Sequence, residues 1–103
     1  MNNGRVAVIV STSYRGVFFG YVGGDVAASA RAGKCPDGVY LTDARMCLTW
    51  SRETRGFTGL AAIGPQPGSR VGPAAPELAL SDVTSIAFPS AQAISVWESE
   101  PWQ

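Results

Sequence analysis

Glycine and proline residues recur along this chain and limit the folds that it can adopt. The 12 glycines and 7 prolines separate short runs of β-branched and aromatic residues, a pattern typical of strands joined by turns. The segment 65–76 holds four prolines and two glycines and is predicted to be a loop. Strands are predicted over 5–13, 16–24, 39–51 and 77–88, with a weaker, glycine-softened strand over 56–64.

Two segments carry helical signals. The alanine-rich start of 25–38 allows a short helix, but its glycines and proline equally favour a loop. Near the C-terminus, Ser90 provides an N-terminal boundary, Ile94 and Trp97 form an apolar side, and Pro101 prevents continuation. A short C-terminal helix is therefore predicted.

These elements predict one mainly β domain over residues 1–103, with one or two short helices. The expected architecture is a small Sm-like or SH3-like barrel, or a strongly curved antiparallel sheet with a short C-terminal helix. The segments GVFFGYV…VYLTDA and LSDVTSI resemble the two halves of an Sm-type pattern. In that family a helix precedes the strands, whereas here the predicted helix follows them. Within 39–51, the alternation slips near Asp43 and Ala44, where a bulge or a short break is expected.

Charge argues against a general nucleic-acid binder, since eight basic and eight acidic residues cancel. The distribution is uneven, however: residues 31–70 carry six cations against three acidic groups, and residues 71–103 carry four acidic groups and no cation. Seven of the eight cations are arginine, which suits bidentate contacts with carboxylate or phosphate.

The chain lacks the residues that most enzymes and metal sites need. It has no histidine and only two cysteines, too few ligands for zinc, so no metal or cofactor is expected. Cys47 lies in an apolar strand and is predicted to be a core residue, with Cys35 in a loop. No signal peptide or membrane span is recognised. The sequence predicts a non-enzymatic protein of a reducing cytoplasm, without a membrane partner.

Arginines beside glycine-rich turns are the main binding candidates. Such turns let backbone N–H groups approach an anion, arginine adds bidentate phosphate contacts, and an aromatic ring can stack on a base. The alternative is a solvated turn without a binding role, in which Glu53 forms an exposed ion pair. Such a pair stabilises a protein by only ~0–1 kcal/mol. Tyr14 and Arg15 are further candidates at a strand end, or simply a hairpin tip. The candidate ligand-binding residues are Tyr14, Arg15, Arg45, Trp50, Arg52, Arg55 and Arg70.

The C-terminal tryptophans and the exposed sheet edges predict a homo-oligomer. Trp97 is expected to pack on the sheet. Trp102 is expected to act either as a latch on the domain or as an anchor for another subunit.

Four segments together resemble a family of small uncharacterised bacteriophage and prophage proteins. They are TSYRGVFFGY, ARMCLTWSRETRGFTGLA, GPQPGSRVGPA and WESEPW. The resemblance implies a viral gene expressed in the bacterial host cytoplasm. Small phage proteins include inhibitors of host defence, some of which sequester nucleotide messengers.

Three functions follow as hypotheses. The first is an oligomeric protein that binds and sequesters an anionic nucleotide-type ligand, in its most specific form an anti-defence sponge for a host immune messenger. The second is a structural or protein-interaction role, as a virion accessory or host-factor inhibitor. The third is Sm-like RNA binding, against which the zero net charge weighs.

Overall fold

The computed structural model describes residues 4–13, 16–99 and 101. Within them the chain forms six strands, three short α-helices and one 3₁₀ turn. In chain order these are β1 (Val6–Thr12), β2 (Val17–Val22), α1 (Gly24–Arg31), β3 (Val39–Thr49), the 3₁₀ turn (Arg52–Thr54), α2 (Gly56–Ala62), β4 (Arg70–Val71), β5 (Ala75–Leu80), β6 (Val83–Ala87) and α3 (Ala91–Ser99).

The strands form one antiparallel sheet in the order β4-β3-β2-β1-β6, with β5 paired to β3 as well. The long strand β3 carries β5 along its first half and β4 along its second. β5 and β6 therefore lie at opposite ends of the pairing order, yet only Ser81 and Asp82 connect them. A two-residue link spans at most about 11 Å between the flanking Cα atoms. The sheet must curve until its two ends meet, which confirms the predicted curved β fold with a C-terminal helix.

The central strand β1 is buried on both faces, as its run of apolar residues predicts. Val8 and Val10 point to the concave side, where they meet residues of β5, β6 and α1. Ala7 and Ile9 point to the opposite side, which α2 and α3 cover. The described residues thus form two apolar clusters, one inside the curved sheet and one between the sheet and the helices.

A bulge in β3 changes which face of the sheet its residues occupy. Phe19 pairs with Arg45, but Tyr21 pairs with Thr42, so one extra residue lies between them on β3. Asp43 absorbs the irregularity with a left-handed backbone (φ 49°). The predicted phase slip is confirmed. Because of it, Arg45 lies on the helix-covered face beside Phe19, rather than inside the curved sheet.

The predicted strand over 56–64 is wrong, because most of this segment forms α2. Phe57, Leu60 and Ala61 recur at helical spacing and pack into the cluster beneath α3. Gly59 is required here, since a Cβ at that position would collide with the Thr54 carbonyl oxygen. The glycines that suggested a weakened strand instead permit close packing of a short helix.

The predicted loop over 65–76 also needs correction, since it contains β4 and the first residues of β5. β4 is only two residues long, and Val71 is fully buried against the sheet. The predicted strand over 77–88 is divided at Ser81 and Asp82. The apolar residues that recur along this segment lie in the cluster on the concave side: Leu78, Leu80, Val83 and Ile86.

Both segments with helical signals in the sequence contain a helix. The ambiguous segment 25–38 does contain a helix, α1. In α3, the Ser90 hydroxyl accepts from the Ala93 amide at 3.0 Å and provides the predicted N-terminal boundary. Trp97 is fully buried as predicted. Cys47 is buried and Cys35 exposed, and no disulfide joins them.

Candidate functional site

A cavity of about 300 Å³ opens where the end of α3 meets the helix-covered face of the sheet. Its wall comes from segments far apart in sequence: the approach to β1, strands β2 and β3, the loop before β5, and α3. The lining residues are Arg5, Phe19, Tyr21, Asp43, Arg45, Ala74 and Glu98. Its size is at the lower end for small-molecule pockets.

Arg5 occupies one side of the cavity in a fixed orientation. Its guanidinium carbon lies 4.1 Å from the centroid of the Tyr21 ring, a cation–π distance. Arg5 Nη2 donates to Asp43 Oδ2 at 2.9 Å. Ring packing and ion pair together fix the plane of the guanidinium.

Tyr21 links the cavity to α3, because its hydroxyl donates to the Glu98 carboxylate. Partial burial and then this hydrogen bond to an anion raise the pKa of Tyr21 well above its usual value. The phenol therefore remains protonated at neutral pH and acts as a donor.

Arg45 forms the base of the cavity and is only 8% exposed. Its Nε donates to the Gly72 carbonyl at 2.9 Å, and its Nη1 donates to the Trp97 carbonyl at 2.6 Å. This predicted binding residue therefore joins β3 to α3 while it lines the cavity.

A second candidate site is the loop cluster, defined as residues 49–55 and 66–70. A buried hydroxyl network holds its two segments together. Thr54 Oγ1 accepts from the Gln66 amide at 3.0 Å and lies 3.1 Å from Ser69 Oγ, which accepts from the Ser51 amide at 3.0 Å. Thr54 is completely buried. The loop cluster is therefore internally bonded although it lies on the surface.

The structure places four of the predicted binding residues on this loop cluster, all of them exposed: Trp50, Arg52, Arg55 and Arg70. Among the described residues, no carboxylate oxygen lies within 4.0 Å of these three guanidinium groups. The ion pair around Glu53 that the sequence allowed as an alternative does not form there. Arg45 is separate, since it lies about 13 Å along β3 from Thr49 at the typical strand rise.

Tyr14 and Arg15 lie outside the described residues. The strands that flank them are tied by the Thr12 amide, which donates to the Gly16 carbonyl at 2.9 Å.

The described residues show no group of three or more Cys, Asp or Glu side chains able to hold a metal ion. Of the helices in the described part of the chain, none is long and apolar enough to cross a membrane.

Comparison with known proteins gives a family. Residues 5–97 match the model of a domain of unknown function, DUF6948. The chain belongs to the DUF6948 family. No curated protein and no solved structure matched it. The match confirms the expected membership of an uncharacterised family. In this DUF6948 chain the matched range includes the whole loop cluster and every cavity residue except Glu98.

Sequence reasoning missed most of the cavity. Arg5, Tyr21 and Glu98 come from different ends of the chain, and no local motif connects them. One signal was available for Asp43, because the slip in alternation at that position marked a bulge, and bulges often reorient side chains near functional sites.

Proposed function

We propose that this chain is a non-enzymatic protein that binds a phosphate-bearing, nucleotide-type ligand at the loop cluster. The supporting observation is that three exposed arginines without a carboxylate partner among the described residues lie on one internally bonded loop unit with an exposed tryptophan.

The electrostatics of the loop cluster favour an anion. The two segments of the loop cluster contain three arginines and one acidic residue, Glu53. The loop cluster therefore carries a net positive charge. Arginine binds phosphate bidentately, and such charge-assisted hydrogen bonds are roughly twice as strong as neutral ones. Because Arg52, Arg55 and Arg70 make no ion pair with the described carboxylates, a phosphate binds there without displacing any of those carboxylates.

The scaffold reduces the entropy cost of binding. The Thr54 network fixes the turn on which Arg52 and Arg55 lie, and the β3–β4 pairing of Thr49 with Arg70 holds the opposite side. Preorganised donors bind more tightly than mobile ones because less ordering accompanies binding. Trp50, 41% exposed, offers a ring on which a base can stack.

We propose in addition that the ligand is a nucleotide messenger of bacterial defence, which a phage-encoded homo-oligomer sequesters in the host cytoplasm. This finer proposal is supported by the resemblance of four sequence segments to phage proteins.

Calorimetric titration with cyclic dinucleotides and ADP-ribose-type nucleotides tests the proposal. We expect binding by at least one of them, weakened about tenfold or more by Arg52→Ala or Arg55→Ala. Lys34→Ala is the matched control, because it removes an exposed cation outside the loop cluster and should leave affinity unchanged. No heat with any nucleotide, or equal loss in the Lys34 variant, would contradict the proposal.

A protein-interaction role is the second candidate, favoured by apolar side chains on the surface. Leu48 and Trp50, 44% and 41% exposed, lie on either side of Thr49, the last residue of β3. Tryptophan is enriched at interface hot spots. If Trp50→Ala abolished co-purification with one host or virion protein while no nucleotide bound, this role would replace the first.

A further inference from the structure

Three hydroxyl groups form the centre of the loop cluster. Thr54 Oγ1 lies 3.2 Å from Ser51 Oγ and 3.1 Å from Ser69 Oγ, and the two serine oxygens lie 3.5 Å from each other. Thr54 and Ser69 are buried. The hydroxyl centre, defined as Ser51, Thr54 and Ser69, therefore joins the two segments of the loop cluster at one point.

The candidate binding side chains of the loop cluster are attached to the chain directly beside the hydroxyl centre. Each belongs to a residue that is adjacent in sequence to one of its three members, and neighbouring Cα atoms are about 3.8 Å apart. Arginine has a long and flexible side chain, so guanidinium groups that start this close together reach one bound ligand. These four exposed residues are Trp50, Arg52, Arg55 and Arg70.

Arg55 has a left-handed backbone conformation, with φ 69° and ψ 38°. Glycine adopts this conformation routinely, and asparagine or aspartate occasionally, so an arginine at this position carries a free-energy cost. Strained residues of this kind cluster at ligand clamps and other functional sites. The conformation of Arg55 therefore supports a binding role for its side chain, since a purely structural turn is formed more favourably by glycine.

The number of arginines indicates how many phosphate groups the ligand presents. A guanidinium engages phosphate through two parallel N–H···O bonds. A phosphodiester has two unbridged oxygens and so suits one such pair, whereas three arginines surround this site. A diphosphate between two ester groups has twice as many unbridged oxygens in adjacent positions. It therefore pairs with two arginines and still presents acceptor lone pairs to the third.

We propose, on the basis of the proposed phosphate binding, that the ligand of the loop cluster is a nucleotide whose two phosphates are joined directly as a diphosphate. The joined phosphates accept from arginines of both segments, and the base stacks on Trp50. A cyclic dinucleotide also has two phosphates, but its nucleosides separate them, so they do not present adjacent oxygens to one small site.

The charges of the loop cluster and of a diphosphate match. The three arginines outnumber the single acidic residue, Glu53, by two charges. A diphosphate esterified at both ends carries about two negative charges, one on each phosphate. The complex is therefore close to neutral.

Calorimetric titration with three adenine nucleotides of similar charge tests the arrangement of the phosphates. ADP-ribose has joined phosphates, cyclic di-AMP has separated phosphates and AMP has a single one, yet each carries about two negative charges at pH 8. ADP-ribose should bind at least about tenfold more tightly than the other two. If cyclic di-AMP or AMP binds as tightly as ADP-ribose, the diphosphate proposal is overturned while the proposed function stands. If none of the three binds, both are overturned.

Inorganic pyrophosphate separates the diphosphate from the rest of ADP-ribose. It should displace ADP-ribose from the protein, whereas orthophosphate at the same concentration should displace about tenfold less. If pyrophosphate has no effect, the preference for ADP-ribose comes from its second ribose and the diphosphate proposal is overturned. This competition needs no variant and does not depend on the folding of a mutant.

Two variants then identify the groups. Glycine relieves the backbone strain at position 55, so Arg55→Gly should unfold at the same or a higher temperature while its affinity for ADP-ribose falls about tenfold. Arg70→Lys keeps the charge but loses the paired N–H groups, and should weaken ADP-ribose binding by a similar factor. Arg31→Lys, at an exposed position outside the loop cluster, should leave affinity unchanged. Full affinity in both Arg55→Gly and Arg70→Lys would overturn the diphosphate proposal.

Discussion

Arg45 of β3 donates a 2.6 Å hydrogen bond to the main-chain carbonyl of Trp97 in α3. This contact connects the middle of the sheet to the last turn of the C-terminal helix. The same guanidinium also bonds the Gly72 carbonyl, which precedes β5. One buried side chain therefore holds three segments around the cavity.

Arg45→Met should destabilise the protein by roughly 2–4 kcal/mol, because two buried carbonyls lose a charged donor. Arg45→Lys should recover only part of this loss, since an ammonium cannot reproduce the guanidinium fork. Chemical denaturation measures both values. Arg31→Met is the control: Arg31 is exposed and stacks on Phe88, so its loss should cost about 1 kcal/mol or less. Equal effects at positions 31 and 45 would contradict this account.

Thr54→Val should loosen the loop cluster. Valine keeps the shape of threonine but leaves the Gln66 amide without its acceptor and removes one of the partners of the Ser69 hydroxyl, which costs about 1–3 kcal/mol. Thr54→Ser keeps the hydroxyl and should cost only about 1 kcal/mol for the lost methyl group. Thermal unfolding of the two variants separates these contributions. If serine were the more damaging replacement, packing rather than the hydroxyl network would hold the turn.

The left-handed backbone of Asp43 gives a prediction that is independent of its charge. Asp43→Gly and Asp43→Ala both remove the carboxylate and its half-exposed ion pair with Arg5. Alanine is strained at φ 49°, so Asp43→Ala should be less stable than Asp43→Gly by about 1 kcal/mol. Urea denaturation of the pair checks this difference. Equal stabilities would mean that the bulge relaxes when the side chain is removed.

More of the fold than of the cavity could be predicted from the sequence, because strands have local sequence patterns and the cavity is formed by residues far apart in the chain. Strands such as β1 show their burial through local residue type, so 5–13 could be assigned without tertiary information. The helix α2 could not be assigned in this way, because three glycines in 56–64 obscured the helical spacing of Phe57 and Leu60. The loop cluster was foreseen in part since most of its residues are close in sequence. The cavity depends on the bulge at Asp43, which places Arg45 beside Phe19 and which the slip in alternation indicated. It depends also on the closure of the sheet, which has no local signature in the sequence.

The raised pKa of Tyr21 makes stability fall at high pH. The phenol has a higher pKa in the folded protein than in the unfolded chain, where it is about 10. Its contribution is therefore fully present below about pH 10 and is lost as the pH rises toward the folded-state value. The free energy of unfolding should decline above about pH 10, and Tyr21→Phe, which cannot ionise, should decline less steeply. Chemical denaturation across this pH range measures the slopes, and tyrosinate absorbance should show Tyr21 resisting ionisation until unfolding. The pKa of the exposed Tyr40 is also raised, by the hydrogen bond that its hydroxyl donates to Glu77, so Tyr40→Phe is needed to separate the two signals. Identical slopes for the two proteins would place the phenol of Tyr21 in contact with solvent rather than with Glu98.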